Sequence, residues 1–314
     1  MYQEQTFTRT GFIYRLGKML VQPGALSNLK LTLSARASDN RSICEYLESN
    51  AENLATHPAI RYADQDISWS DLNSRVNQLA HYIKSRGLIK GDAVAVNIEN
   101  RPEVIISVLA CMKLGVIAGM VNTRQTDDVL AHSLKLINPK LLFIGNEQVA
   151  NMSSLGDDAL SVFADKLHVV PDGDDVAVPA GYIDLPSAMA AQSTENLAET
   201  RDLFLGDACY YIFTSGTTGL PKASVTTPLK VMRSGAHMGC NVMSLPSDDV
   251  FYCALPFYHS NALVLALSCS LVIGTTLAIG RKFSASRFWD QCRPYGATTF
   301  CEVVDFLQFS LPQL

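Results

Sequence analysis

Apolar residues recur at helical spacing from Ile67 to Gly87. Leu72, Val76, Leu79, Ala80 and Ile83 mark one face, and a face of that kind packs on a core. Ser70 is placed to cap this helix and Gly87 to stop it. Gly91-Asp92 then turns the chain into Ala93–Ile98, an apolar run short enough for a buried strand. Pro102 suits the first turn of a second helix, which carries Val104, Ile105, Val108, Leu109 and Met112 and ends at Gly115. The same reading predicts a strand over 116–121, a helix over 129–137 and a strand over 141–144.

Residues 151–205 break this rhythm with Asp157, Asp158, Asp172, Asp174, Asp175, Glu195 and Glu199. They read as a surface excursion holding one short strand near 167–170. From Cys209 the alternation resumes. Strands are expected at 209–213, 223–227, 250–254 and 275–279, with helices over 228–243, before Gly274, and from Ser284 to Cys292. Strand and helix in alternation predict an α/β fold, with layered αβα subdomains around largely parallel sheets.

One uncharged stretch, 262–280, approaches the length of a membrane span. Ser268, Ser270, Gly274, Thr275 and Thr276 interrupt it, so it reads as a buried helix followed by a strand. Residues 9–36 mix Arg9, Arg15, Lys18, Lys30 and Arg36 with Phe12, Ile13, Tyr14 and Leu20 and hold no acid. That pattern fits a surface anchor on an anionic membrane or a solvated lead-in helix, and both stay open.

Composition sharpens this picture in three places. Of 314 residues 48% are hydrophobic and 18% charged, enough for one large or two smaller cores. The net charge of −5 gives no reason to expect nucleic acid as a partner. The eight cysteines are scattered without a C-x-x-C pair, as in a reduced, cytoplasmic chain. The peripheral alternative is the inner face of a membrane. With no clustered Cys and no H-x-x-x-H pair, no metal ligands are assigned. No G-x-S-x-G elbow is present, which argues against a serine hydrolase.

The segment Thr214-Ser215-Gly216-Thr217-Thr218-Gly219-Leu220-Pro221-Lys222 carries the clearest chemistry. Gly216 and Gly219 let backbone N–H groups approach a ligand, four hydroxyls can donate to phosphate oxygens, and Lys222 adds a positive charge. The spacing is not that of a P-loop. By composition alone the segment is equally a polar hairpin turn. As a string, with Tyr210-Tyr211-Ile212-Phe213 before it, it resembles the signature of the adenylate-forming superfamily of acyl-CoA synthetases, luciferases and peptide-synthetase adenylation domains.

Other stretches agree with this resemblance in the same order: Ile67–Leu72, Gly91 through Glu103, Lys113-Leu114-Gly115, and Leu255-Pro-Phe-Tyr-His-Ser-Asn261. Arg281–Asp290 is similar to the very-long-chain acyl-CoA synthetase and fatty-acid-transport-protein branch. The resemblance implies that Thr214, Ser215, Gly216, Thr217, Thr218, Gly219 and Lys222 hold the β- and γ-phosphates of ATP. It further implies that His259 sits beside the bound carboxylate, with its neighbours walling a fatty-acid tunnel. By residue type alone His259 fits a hydrogen-bonded core histidine as well, but Pro256 and Ser260-Asn261 place it in a loop. His132 and His237 read as helix residues near a polar face.

The implied reaction converts a fatty acid, ATP and CoA to acyl-CoA through an acyl-adenylate, with Mg²⁺ (magnesium) on the phosphates. The family's magnesium-binding glutamate, adenine and ribose contacts, hinge and C-terminal lysine are expected beyond Leu314. On that reading residues 1–40 are a lead-in, and 41–314 are part of the large N-terminal AMP-binding domain without the small C-terminal one. The resemblance stops abruptly after Phe300, which suggests a frameshift or early stop; the DNA read in other frames beyond codon 300 tests it. Three functions remain open: a fatty acid–CoA ligase, an inactive fragment that binds fatty acid or triphosphate, and an adenylating enzyme serving a carrier protein.

Overall fold

A computed structural model describes residues 33–173, 176–214 and 219–301. The N-terminal segment 9–32, loop residues Ser215, Gly216, Thr217 and Thr218, and the stretch after Cys301 lie outside the described residues. Among them fall most of the expected membrane-anchor segment and nearly all of the stretch after Phe300.

The chain opens with helix α1 (Cys44–Asn53), then strands β1 (Pro58–Tyr62) and β2 (Gln65–Ser68) and helix α2 (Trp69–Ser85). Strand β3 (Ala93–Asn97), helix α3 (Pro102–Leu114), strand β4 (Ile117–Met120), helix α4 (Asp127–Ile137) and strand β5 (Leu141–Gly145) follow. Two one-turn helices, Val149–Ser153 and Asp157–Ser161, lead to β6 (Leu167–Val170) and β7 (Ile183–Asp184). Strands β8 (Tyr210–Thr214) and β9 (Lys222–Thr226) form a hairpin, and helix α5 (Pro228–Gly235) continues as a π-helical stretch, Ala236–Met243. The chain closes with β10 (Val250–Cys253), a π-helical stretch (Asn261–Ala266) running into helix α6 (Leu267–Ile273), β11 (Thr276–Ile279), the short helix Phe288–Cys292 and β12 (Thr299–Cys301).

Two sheets result. The first runs β7-β6-β5-β3-β4-β8-β9, parallel except for the β8–β9 hairpin. The second runs β12-β10-β11-β1-β2, parallel except for β2. This is the expected α/β architecture with largely parallel sheets. Strands β3, β4 and β5 are buried along their whole length, as a parallel sheet covered on both faces requires.

Two local expectations change, and a third holds. Ser68, not Ser70, caps α2: its hydroxyl accepts from the Asp71 N–H at 3.1 Å. Ser70 lies two residues too late because Ile67 is spent pairing with Ile60 in the β1–β2 ladder, so the helix starts at Trp69. Residues 151–205 are more than a surface excursion. Both β6 and β7 extend the first sheet, and β6 is fully buried. The uncharged stretch 262–280 folds as α6 and β11, with Gly274 in a left-handed cap at φ 86°. Among the described residues no helix is long and apolar enough to cross a membrane.

Seven of the eight cysteines are buried. Burial pushes the Cys44 thiol up to about 12 against the opposing pull of Lys113, so it stays protonated and packs as an apolar group.

His168 on β6 makes a testable element of this core. The Tyr82 hydroxyl donates to its Nε2 at 2.8 Å, and its Nδ1–H donates to the Lys166 carbonyl at 2.8 Å. Burial lowers its pKa from the ordinary 6.5, the Lys166 carbonyl pulls the other way, and nearby Arg86 adds to the depression. The folded state therefore holds a neutral ring, while the unfolded chain binds a proton near 6.5. Its contribution to stability is full above that value and falls as pH drops toward the lower folded-state pKa. Urea midpoints measured between about pH 7.5 and 5.5 should decline, and His168→Gln should flatten that decline. An unchanged slope in the variant would assign the acid sensitivity elsewhere.

Candidate functional site at the carboxyl ends of the two sheets

The β8–β9 hairpin presents the glycine-rich segment. Tyr210, Ile212 and Phe213 are buried and fix the first strand, with the Tyr210 hydroxyl 2.7 Å from the Met112 sulfur. The ladder closes on the pair Thr214↔Lys222, both exposed, so the loop between them leaves the sheet from a rigid base. Gly219, at φ 85°, sits in the left-handed region that side chains avoid. At the ends of the paired strands the Thr214 hydroxyl and the Lys222 ammonium are exposed at the sheet edge. His132 on α4 was expected to be a bland helix residue. Its Nε2–H donates to the Pro221 carbonyl at 3.1 Å, so it buttresses the exit of this loop. No sequence spacing links the two, since they lie 89 residues apart.

Strand β4 pairs in parallel with β8, Met120 opposite Ile212. The turn after β4 and the loop after β8 therefore emerge side by side. A cleft of about 680 Å³ opens next to them, between the carboxyl ends of both sheets. Ile98, Glu99 and Asn100 enter it after β3, and Thr123 and Arg124 after β4. Leu255, Pro256, Tyr258 and His259 follow β10, and Arg281, Lys282 and Phe283 follow β11. Open α/β sheets collect ligands at this edge. A larger concavity of about 810 Å³ lies between the β1–β2 turn and residues 290–295. Apart from Arg281 it shares no residue with the cleft and carries none of the predicted site residues.

His259 starts the turn that becomes the π-helical stretch: its N–H donates to the Pro256 carbonyl and its own carbonyl accepts from Leu263. The imidazole is exposed to the cleft, with the Tyr258 ring 4.6 Å away between centroids. Partial desolvation lowers its pKa, and Arg124 lowers it further. At neutral pH the ring is neutral, with one N–H to donate.

Asn100 holds the cleft together, and the sequence motif gave it no role. Its buried Nδ2 donates to the Leu255 carbonyl at 2.8 Å and the Gly280 carbonyl at 3.1 Å, while Oδ1 accepts from the Phe257 N–H at 3.1 Å. One side chain thus pins the end of β3 to the ends of β10 and β11. Glu99 beside it bonds Arg281 at 2.9 Å and Lys282 at 3.0 Å. Burial would raise the Glu99 pKa, but these two cations overcome it and hold the carboxylate ionised. Arg281 also reaches Asp172 at 2.7 Å and the Tyr62 hydroxyl at 2.9 Å. Buried Arg101 completes the seam, donating to the Val170 and Pro171 carbonyls at 2.7 and 2.8 Å. The Arg281 segment, singled out in the sequence as a branch signature, is therefore part of the cleft wall.

The model of the AMP-binding enzyme family matches residues 47–313. The chain is 36% identical over 281 residues to the medium/long-chain-fatty-acid–CoA ligase FadD6 of Mycobacterium tuberculosis, covering 90% of this chain and 45% of that protein. It is 30% identical over 271 residues to human long-chain fatty acid transport protein 6, covering 84% and 42%. The chain thus spans under half the length of these curated relatives. Among solved structures, an anthranilate CoA ligase, AuaEII, superposes with a TM-score of 0.76 at 20% identity, covering 86% of this chain and 50% of that one. The N-terminal domain of FACL13 from Mycobacterium tuberculosis gives 0.70 at 23%, covering 86% and 64%. At these identities the structures share the fold.

Proposed function

Because this chain belongs to the AMP-binding enzyme family, we propose that it belongs to a fatty acid–CoA ligase acting on long or very long chains. The reaction has two halves. A fatty-acid carboxylate oxygen attacks the α-phosphorus of ATP, the bond to the bridging oxygen breaks, and pyrophosphate leaves. The CoA thiolate sulfur then attacks the acyl carbonyl carbon, and AMP leaves with the C–O bonding pair. The protein's task in the first half is to position two anions and neutralise the charge that builds between them.

The observation that carries this proposal is the convergence of the hairpin loop and the His259 cleft on one edge. Lys222 and the hydroxyls of 214–218 would hold the departing phosphates there. The neutral imidazole of His259 would donate its N–H to a carboxylate oxygen and leave the carboxylate ionised. Tyr258, Leu255 and Phe283 would supply the apolar wall for the acyl chain. Among the described residues no three His, Cys, Asp or Glu side chains gather around a point.

The test is fatty-acid-dependent exchange of labelled pyrophosphate into ATP by the purified chain, run alongside binding of a fluorescent fatty acid. Exchange should rise with acyl chain length and fall about a hundredfold in Lys222→Ala. A folded chain that neither exchanges nor binds the fatty acid refutes the proposal. Exchange that responds only to a short aromatic acid would replace the substrate class.

A further inference from the structure

The charges around the cleft are not evenly balanced. Arg281 is neutralised twice, by Glu99 and by Asp172. Lys282 is paired with Glu99 at 3.0 Å. Among the described residues Glu99 is the single acid lining the cleft. Arg124, the remaining lining cation, meets no acid among the described residues. Its backbone is held all the same: the Arg124 N–H donates to the Asn122 side-chain oxygen at 2.9 Å, which fixes the turn after β4. The guanidinium is close enough to His259 to disfavour a second positive charge there. Arg124 also follows the strand that pairs with β8, and it lines the same cleft as the imidazole.

An arginine on a fixed turn, facing a cleft and left without a counter-charge, is suited to a planar oxyanion, since its fork matches two oxygens at once. We infer that Arg124 receives the anionic group of the substrate in this cleft, either the acyl carboxylate or a phosphate oxygen. The inference deepens the proposed function and rests on it: it adds to His259 and Lys222 a third polar contact, drawn from β4, at the point where the two anions must meet.

The experiment compares the full chain with Arg124→Gln and Arg124→Lys. Palmitate, its methyl ester and inorganic tripolyphosphate are the probes, and the His259 ring is followed by NMR titration. Arg124→Gln should raise the His259 midpoint, which reports that the two side chains face each other in solution. It should also weaken an anionic probe about tenfold and leave the methyl ester unchanged. Arg124→Lys should recover part of both effects. Weakening confined to palmitate assigns the contact to the carboxylate, and weakening confined to tripolyphosphate assigns it to a phosphate. If wild type binds an anionic probe and the folded Gln variant binds it equally well, the inference fails while the proposed function stands. If wild type binds none of the probes, both fail.

Discussion

Lys113→Met is expected to lower the unfolding free energy by about 3–5 kcal/mol, the cost of leaving a buried charge without its partner. The ammonium is fully buried in the centre of four acceptors. Glu48 Oε1 lies at 2.8 Å and the side-chain oxygens of Asn73, Asn77 and Asn196 at 3.0, 2.6 and 2.9 Å. These come from α1, from two turns of α2 and from the segment before β8, with the lysine itself on α3. Removing the cation leaves the Glu48 carboxylate and three amide oxygens facing one another in a space that admits little water. The Asn196 oxygen would still accept from Asn73 and Asn77, so the loss concentrates on Glu48. Urea unfolding checks the size. The double variant Lys113→Met with Glu48→Gln should recover a substantial part of it, because the stranded charge is gone. A cost below about 1 kcal/mol would mean that water reaches the cage.

Asn100→Ala should cost about 3 kcal/mol and loosen the cleft. The substitution strands two buried carbonyls and one buried N–H, and each unpaired group costs about 1–3 kcal/mol where no water replaces the partner. Asn100→Asp is informative beside it. It keeps the acceptor for the Phe257 N–H but sets a carboxylate oxygen against the Leu255 and Gly280 carbonyls, so it should be no better than alanine. Because Asn100 joins the two sheets, both variants should weaken fatty-acid binding although the side chain reaches no ligand. Thermal unfolding together with fatty-acid titration separates the cases. Lost stability with unchanged binding would show that the cleft is held by the Glu99 and Arg101 contacts alone.

The periodicity of apolar positions was enough to place most of the first sheet. The β3-α3-β4-α4-β5 succession lies within a few residues of its expected bounds, and the stops at Gly87, Gly115 and Gly274 fall where they were read. Misreadings arose where pairing overrode local preference. Ser70 looked like a cap until Ile67 proved to belong to β2, and the two-residue strand β7 went unread beside the expected β6 in a stretch rich in acidic loops.

The candidate site divides along the same line. The hairpin string, His259 and the Arg281 segment were legible because each is a contiguous run whose residue types carry chemistry together. Family membership was legible for the same reason. The seam that makes a cleft of them was not: Asn100 meets Leu255 and Gly280 across 155 and 180 residues, and His132 meets Pro221 across 89. Periodicity reports which face of an element is buried, and a motif reports what a loop can bind. Which loop ends share an edge depends on strand order, and that is decided only when β4 pairs with β8, β10 pairs with β11, and Asn100 pins the two sheets together.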